Sequence, residues 1–305
     1  MKRYRKKSLK HRVLESYYYR SELTAADLRR LENLHKGHVG ELAWDEKIYV
    51  LPSDYLIVND LMLPYSDSHF QIDALVAVGD TLNHYEIKNY VGTYVKKEEV
   101  LVSETGYEIA EPVSQISKAH AMLNNTMRRL GYRFKIRSYV IFVNPEFHWA
   151  NAVKSDSVFF THQLPRHIRG LLARSCQPSA RMEQFLKALM AMDDLDYCPP
   201  KMPFYEKVRF GIKCPHCHTF ESSRTQQYWL CGGCKFRQPI VDAMARTAVE
   251  FHEMKPAVLI TTDNVYDWCG GEFDKQQIRR ALKKYFVSNG NTSGTHYTRK
   301  RVRSS

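Results

Sequence analysis

The sequence has no apolar run long enough to span a bilayer, and its basic opening, Met1 to Arg12, is not followed by the apolar core of a secretory signal. Both features disfavour an embedded or exported protein, so the chain reads as soluble and cytoplasmic. Internal repeats and low-complexity segments are also lacking, which removes repeat architectures and tethers. Acidic residues are in short supply: 33 Asp plus Glu stand against 45 Lys plus Arg, a formal charge of +12. From Lys275 onward there is no acidic residue at all. Such a surplus favours polyanionic partners, because neutralising phosphates releases condensed counterions. Membrane is disfavoured as that partner and nucleic acid remains.

What is present suits two or three small packed domains: 305 residues, 44% hydrophobic and 26% charged. Seven cysteines include two close pairs and three lone residues, Cys176, Cys198 and Cys269. An odd count without a signal suits a reducing compartment, where paired cysteines bind metal more often than they form disulfides.

The pattern along the chain predicts a basic helical N-terminal segment over 1–34, with Ser21 or Thr24 as a helix cap and Leu28, Leu31 and Leu34 at helical spacing. Gly37 and Gly40 read as a break before helix resumes at Glu41. Residues 35–173 carry strand signals at Tyr55 to Val58, Phe70 to Val78 and His84 to Tyr90, the last two joined by a turn at Gly79-Asp80. A hairpin over Tyr94 to Tyr107 is expected to turn at Thr105-Gly106. A helix over Pro112 to Leu130, a buried strand over Ile136 to Val143, a short strand over Ser157 to Phe160 and a helix near Pro165 to Ala173 complete the domain. A helical stretch and a linker containing Cys198-Pro199-Pro200 and Pro203 fill 174–203. A cysteine-bearing unit over 204–240 and a helical basic module over 241–305 follow.

The most informative chemistry lies in Gln71-Ile72-Asp73 and Tyr85-Glu86-Ile87-Lys88-Asn89-Tyr90. Successive side chains on a strand alternate, so Glu86 and Lys88 share one face, and the Gly79-Asp80 hairpin brings Asp73 to the next strand. Two carboxylates and a lysine then converge. Phosphodiester cleavage uses such a set: carboxylates hold Mg²⁺ or Mn²⁺, and the lysine positions water or offsets developing negative charge. A solvated, ion-paired strand face is the competing explanation of Glu-x-Lys, and a strand-end residue that of Asp73.

The segments Gly37-His38-Val39-Gly40-Glu41, Asn59, Gln71-Ile72-Asp73, Glu86-Ile87-Lys88-Asn89-Tyr90, Gly92, and Pro112 with Gln115 resemble, in order, the nuclease-related domain family, NERD, of the PD-(D/E)xK nuclease superfamily. The resemblance covers about residues 35 to 145. It implies a mixed α+β, restriction-endonuclease-like αβββαβ core. It also implies that Glu41, Asp73 and Glu86 hold the metal, with Ile87 contributing its carbonyl, that Lys88 is catalytic, and that Gln115 faces the site. No proline precedes Asp73, so the first half of the superfamily motif is loose. Gly37 and Gly40 have a simple helix break as a rival explanation, Glu41 a surface role, and Gln115 a helix-face hydrogen bond.

Cys214-Pro215-His216-Cys217 and Cys231-Gly232-Gly233-Cys234 are two C-x-x-C knuckles with thirteen residues between them. Four thiolates at this spacing close a tetrahedral Zn²⁺ site of structural type, a small zinc ribbon, with Gly232 and Gly233 expected to permit the turn beneath the ion. Redox pairs or disulfides are the alternatives, and His216 and His218 are spare ligands. The metal would supply most of the ribbon's folding energy.

Near the C-terminus, a short helix around Asn264 to Trp268, a Cys269-Gly270-Gly271 turn and a helix capped by Asp274 outline a helix-turn-helix-like unit. Its second helix offers Lys275, Arg279, Arg280, Lys283 and Lys284 to phosphates, and Asn289 to Thr295 suits a wing-like hairpin before Arg299-Lys300-Arg301. A solvated face with a disordered tail is the alternative. His84, His120, His148 and His162 show no site spacing and read as packing or surface residues. The expectation is a metal-dependent endonuclease acting on nucleic acid, most simply DNA. Its alternatives are a DNA-binding or regulatory protein on a nuclease fold and an RNA-acting nuclease. The sequence leaves oligomeric state open, with a homodimer as one candidate because cutting two strands often needs two sites.

Overall fold

The computed structural model describes residues 2–52, 55–174, 176–194, 197, 202–290 and 294–300. Cys198-Pro199-Pro200 of the expected linker, part of the expected wing loop, and Arg301 lie outside them. The chain divides into two compact units: Met1–Lys7 with Glu32–Tyr197, and Ser8–Leu31 with Cys198–Ser305. Among the described residues no helix is long and apolar enough to cross a membrane.

From the N-terminus run β1 (Lys2–Arg3), α1 (Leu9–Arg20), α2 (Ala25–Ile48), β2 (Leu56–Tyr65), β3 (Ser68–Val78) and β4 (Thr81–Lys88). Then come β5 (Gly92–Lys97), β6 (Val100–Ser103), β7 (Glu108–Ala110), α3 (Pro112–Arg129), β8 (Lys135–Phe142), β9 (Phe147–Trp149) and β10 (Val158–Phe160). A 3₁₀ turn, α4 (Leu164–Leu172) and α5 (Ala180–Met192) precede β11 (Ser222–Arg224), β12 (Tyr228–Cys231) and β13 (Arg237–Pro239). The chain continues with α6 (Ile240–Met254), α7 (Thr262–Trp268), α8 (Lys275–Tyr285), β14 (Phe286–Asn289) and β15 (His296–Arg299).

The first unit is mixed α+β. Its main sheet has the order β1-β2-β3-β4-β8-β10, antiparallel across β2, β3 and β4 and parallel elsewhere. Succession of α2, β2, β3, β4, α3 and β8 gives the expected αβββαβ order. Residues of α2 and α4 cover one face, where Trp44, Ile48, Ile57, Val76, Tyr85, Ile141 and Leu171 pack. Residues of α3 and α5 cover the other, with Leu61, Ile72, Leu75, Leu123 and Phe185. Sealing both faces explains why the second halves of β8 (Tyr139 to Phe142) and of β3 (Ala74 to Val78) are apolar without interruption.

Two local expectations are corrected. Gly37 and Gly40 do not break the helix, since α2 runs through both from its Thr24 cap, whose hydroxyl accepts from the Asp27 N–H. A Cβ on Gly40 would stand 2.4 Å from the Asn89 Cβ, so glycine there serves close approach to the strand end. The segment read as one hairpin over Tyr94 to Tyr107 holds β5 and β6, and β7 follows it, in a sheet ordered β7-β6-β5-β9. Its first turn falls at Glu98, in the left-handed region, and only the second at Thr105-Gly106.

The second unit contains α1, a three-stranded ribbon of β11, β12 and β13, helices α6 to α8, and the β14–β15 hairpin. Val13 and Tyr17 of α1 share a core with Trp229, Ala248, Phe251, Trp268, Ile278 and Leu282. The Tyr17 hydroxyl donates to the Met254 carbonyl at 3.2 Å. Helices α7 and α8 are separated by the Gly270-Gly271 turn and followed by the antiparallel β14–β15 pair.

Candidate functional site

Side-chain alternation reverses in the middle of the main sheet. On β2, Leu56 and Val58 face the α3 and α5 layer, and beyond Asp60 it is Leu61 and Leu63 that do so. On β3, Phe70 and Ile72 face that layer, then Leu75 and Ala77. The β2–β3 pairing correspondingly skips from Asn59↔Ala74 to Leu61↔Ile72, and Asp60 has a left-handed backbone (φ 57°). Asp73 stands at this slip. Freed from the regular pleat, its carboxylate Oδ2 accepts the Ile87 N–H at 2.8 Å, beyond the last β3–β4 pair at Ala74↔Tyr85. A strand residue directs its N–H and C=O to one side, so the Ile87 carbonyl opens toward Asp73 as well.

Glu86 and Lys88 follow on the face turned to α3. Lys88 Nζ lies 2.6 Å from Glu86 Oε1 and donates to Gln115 Oε1 at 2.9 Å, while the Gln115 amide donates back to Glu86 at 2.7 Å. Burial works against the Lys88 charge, but Glu86, Tyr90 and Asp73 outweigh it and raise its pKa. Asp73 is pushed well above the carboxylate range by burial and by Glu86 and Glu41, against the opposing pull of Lys88 and the Ile87 N–H.

Glu41 enters from α2, 3.3 Å from Arg5 Nη1. Arg5, whose side chain is fully buried, also grips Asp45 through Nε at 3.2 Å and Nη2 at 3.3 Å, and donates from Nη2 to the Asp73 carbonyl at 3.0 Å. The Asn59 amide bonds Asp45 at 3.0 Å and the Tyr49 hydroxyl at 2.9 Å. The structure thus brings together Asp73, Ile87, Glu86, Lys88 and Gln115, with Glu41 at the border of the Arg5 cluster. The oxygens of Glu41, Asp73 and Glu86 do not form a closed cage: among the described residues only the four paired cysteines place three or more possible ligand atoms within 4.8 Å of one another. An oxygen-only set with Asp73 burdened by two neighbouring carboxylates nevertheless suits a hard divalent cation, which would relieve that repulsion. Arg5 and Asp45 were not singled out in the sequence; they reach the site across 40 and 68 positions of chain, and no local pattern marks them.

In the second unit Cys214, Cys217, Cys231 and Cys234 converge, with Sγ atoms 3.6 Å apart for Cys214 and Cys234 and 3.3 Å for Cys217 and Cys231. Sulfurs bound tetrahedrally to Zn²⁺ stand about 3.8 Å apart. The His216 and Cys234 N–H groups donate to Cys214 and Cys231 sulfur at 3.4 Å. The left-handed residues are His218 and Lys235 (both φ 61°), rather than Gly232 and Gly233. Those glycines provide space: a Cβ on Gly232 would meet Glu221 at 3.1 Å, and one on Gly233 would meet Cys217 Sγ at 3.3 Å. His216 and His218 stand outside the sulfur set, and His218 stacks on Tyr19.

On α8, Lys275, Arg279, Arg280, Lys283 and Lys284 are all exposed. Lys275 pairs with Asp263 at 2.6 Å and Lys284 with Asp242 at 3.5 Å, which leaves Arg279, Arg280 and Lys283 without an ion pair among the described residues. Of the lone histidines, His84 and His120 share the Ser138 hydroxyl, at 3.2 and 2.8 Å. Burial, with His120 beside it, lowers His84 to about 3, a packing role.

No curated protein and no solved structure matches the chain significantly. The stretch from the middle of α2 to the end of β8, which holds Glu41, Asp73, Glu86, Lys88 and Gln115, matches over residues 36–143 the family model of the nuclease-related domain, NERD.

Proposed function

We propose that the chain is a Mg²⁺- or Mn²⁺-dependent DNA endonuclease. The observation that carries this reading is the Glu86–Lys88–Gln115 triangle beside a buried Asp73 pinned by the Ile87 N–H. Asp73, Glu86, the Ile87 carbonyl and Glu41 are the groups that would hold the ion. When bound, the ion supplies positive charge against that growing on the phosphate and makes water more acidic. Gln115 fixes the Lys88 ammonium, which is aimed to orient attacking water and to stabilise negative charge. Asp73 is held by a backbone donor and therefore keeps its orientation while the substrate changes charge.

The four cysteines would hold a structural Zn²⁺, and the exposed cations of α8 would contact phosphates. Such contacts position a nuclease on its substrate without reading sequence. The test is incubation of the purified chain with circular DNA and circular RNA, with and without Mn²⁺. Cutting of DNA circles alone supports the reading; cutting of RNA alone transfers it to a ribonuclease. Binding without cutting of either makes the chain a nucleic-acid-binding protein on a nuclease fold.

A further inference from the structure

We propose that Arg5 is a positioning residue of the metal site, fastening the strand that carries Asp73 to the helix that carries Glu41. The inference rests on the metal-dependent reading above. Where β2 and β3 lose their pairing at Asp60 and Asp73, arginines of the N-terminal arm bond the carbonyls at the break: Arg3 donates to the Asp60 carbonyl at 2.9 Å and Arg5 to that of Asp73 at 3.0 Å. The arm is itself held, because Lys2 and Arg3 pair in parallel with Ile57 and Val58. Arg5 therefore spans from the slip in β3 to Asp45 on α2, one helical turn beyond Glu41.

The directions of these bonds define the role. The fork of Arg5 is committed to Asp45, and Asp45 is tied back to β2 by Asn59. Toward Glu41 there is an ion pair at 3.3 Å, while Nη1 makes no hydrogen bond among the described residues. Glu41 Oε2 also stands 3.8 Å from His38 Nδ1, so the Glu41 carboxylate is steadied by charge from Arg5 and, when it is protonated, from His38. A guanidinium can donate to Asp45 and to the Asp73 carbonyl at once because its N–H groups diverge in a fixed plane; an ammonium is a point donor and cannot span both.

The experiment is a Mn²⁺ titration of the full chain, reading free ion by electron paramagnetic resonance, for wild type, Arg5→Ala, Arg5→Lys and Asp73→Ala. Removing a group that orients metal ligands typically weakens affinity by about 10- to 100-fold. Both Arg5 variants are expected to weaken Mn²⁺ binding on that scale with circular dichroism unchanged, and lysine is not expected to rescue. Arg5→Lys, which keeps the charge and most of the stem, decides the matter if Arg5→Ala does not fold. A folded Arg5 variant that binds Mn²⁺ as tightly as wild type, or more tightly, overturns the proposal and makes Arg5 a scaffold contact or a competing counter-ion. A wild type without any Mn²⁺ site that Asp73→Ala removes overturns the metal reading itself.

Discussion

Two glycines on one helix should respond to alanine in opposite ways. Gly37 is exposed in α2 and a Cβ there meets nothing within 4 Å. Gly37→Ala gains about 1 kcal/mol of helix propensity with no opposing cost. Gly40→Ala gains the same but places its methyl 2.4 Å from the Asn89 Cβ and 3.2 Å from Val143 Cγ2. Asn89 cannot swing aside, because its amide donates to the Lys36 carbonyl and its oxygen accepts from Asn144. Forced overpacking costs about 1–3 kcal/mol, so that amount should separate the two variants. In a unit of this size each kcal/mol moves the midpoint by about 2–4 °C. Calorimetry of the full chain should show Gly37→Ala melting higher than wild type and Gly40→Ala melting below Gly37→Ala. Equal midpoints for the two variants would refute the close approach of α2 to the strand end, and with it the placement of Glu41.

Other outcomes follow from the second unit. Burial raises Glu250, but Arg20 and Lys213 outweigh it and bring it from 4.5 to about 2. A depressed carboxylate stabilises above its ordinary pKa and loses that stabilisation as pH falls through the folded value. Glu250 should therefore contribute about 3 kcal/mol at neutral pH, lost between about pH 4.5 and 2. Urea titrations of wild type against Glu250→Gln should show a gap that closes over that window. Titration with a mercurial should release one zinc from the four-cysteine set, and Cys231→Ser should abolish that release. Alanine at Arg279, Arg280 and Lys283 should weaken DNA binding and reduce the salt-dependence slope by about 0.9 for each phosphate no longer neutralised, measured by fluorescence anisotropy.

Local chemistry was readable from the sequence and long-range pairing was not. The ribbon announced itself because its ligands are set by spacing within each knuckle. The Asp73, Glu86 and Lys88 set was visible because strand alternation and one hairpin turn suffice to bring these residues together. Even the slip at Asp73 left a trace, since the apolar residues of Phe70 to Val78 change phase there. Within the expected helical segment 1–34 the sequence does not separate α1 from α2, because Leu9–Arg20 is rich in basic residues and tyrosine; α1 is held by packing of Val13 and Tyr17 against the α6 core rather than by propensity. The overall charge surplus favours polyanionic partners, yet Lys2, Arg3 and Arg5, which contribute to it, are engaged within the fold. Charge counts cannot distinguish a cation that meets phosphate from one that satisfies a carbonyl 68 residues away.

Metal-dependent nuclease activity at Asp73 and Lys88 is tested by cleavage of circular single- and double-stranded DNA in Mg²⁺ or Mn²⁺, comparing wild type with Lys88→Ala and Asp73→Ala. Wild type is expected to cut circles in a metal-dependent way, and either substitution to abolish cutting while DNA binding persists. Cutting that survives both substitutions, or wild-type protein that binds DNA and never cuts it, would contradict this reading.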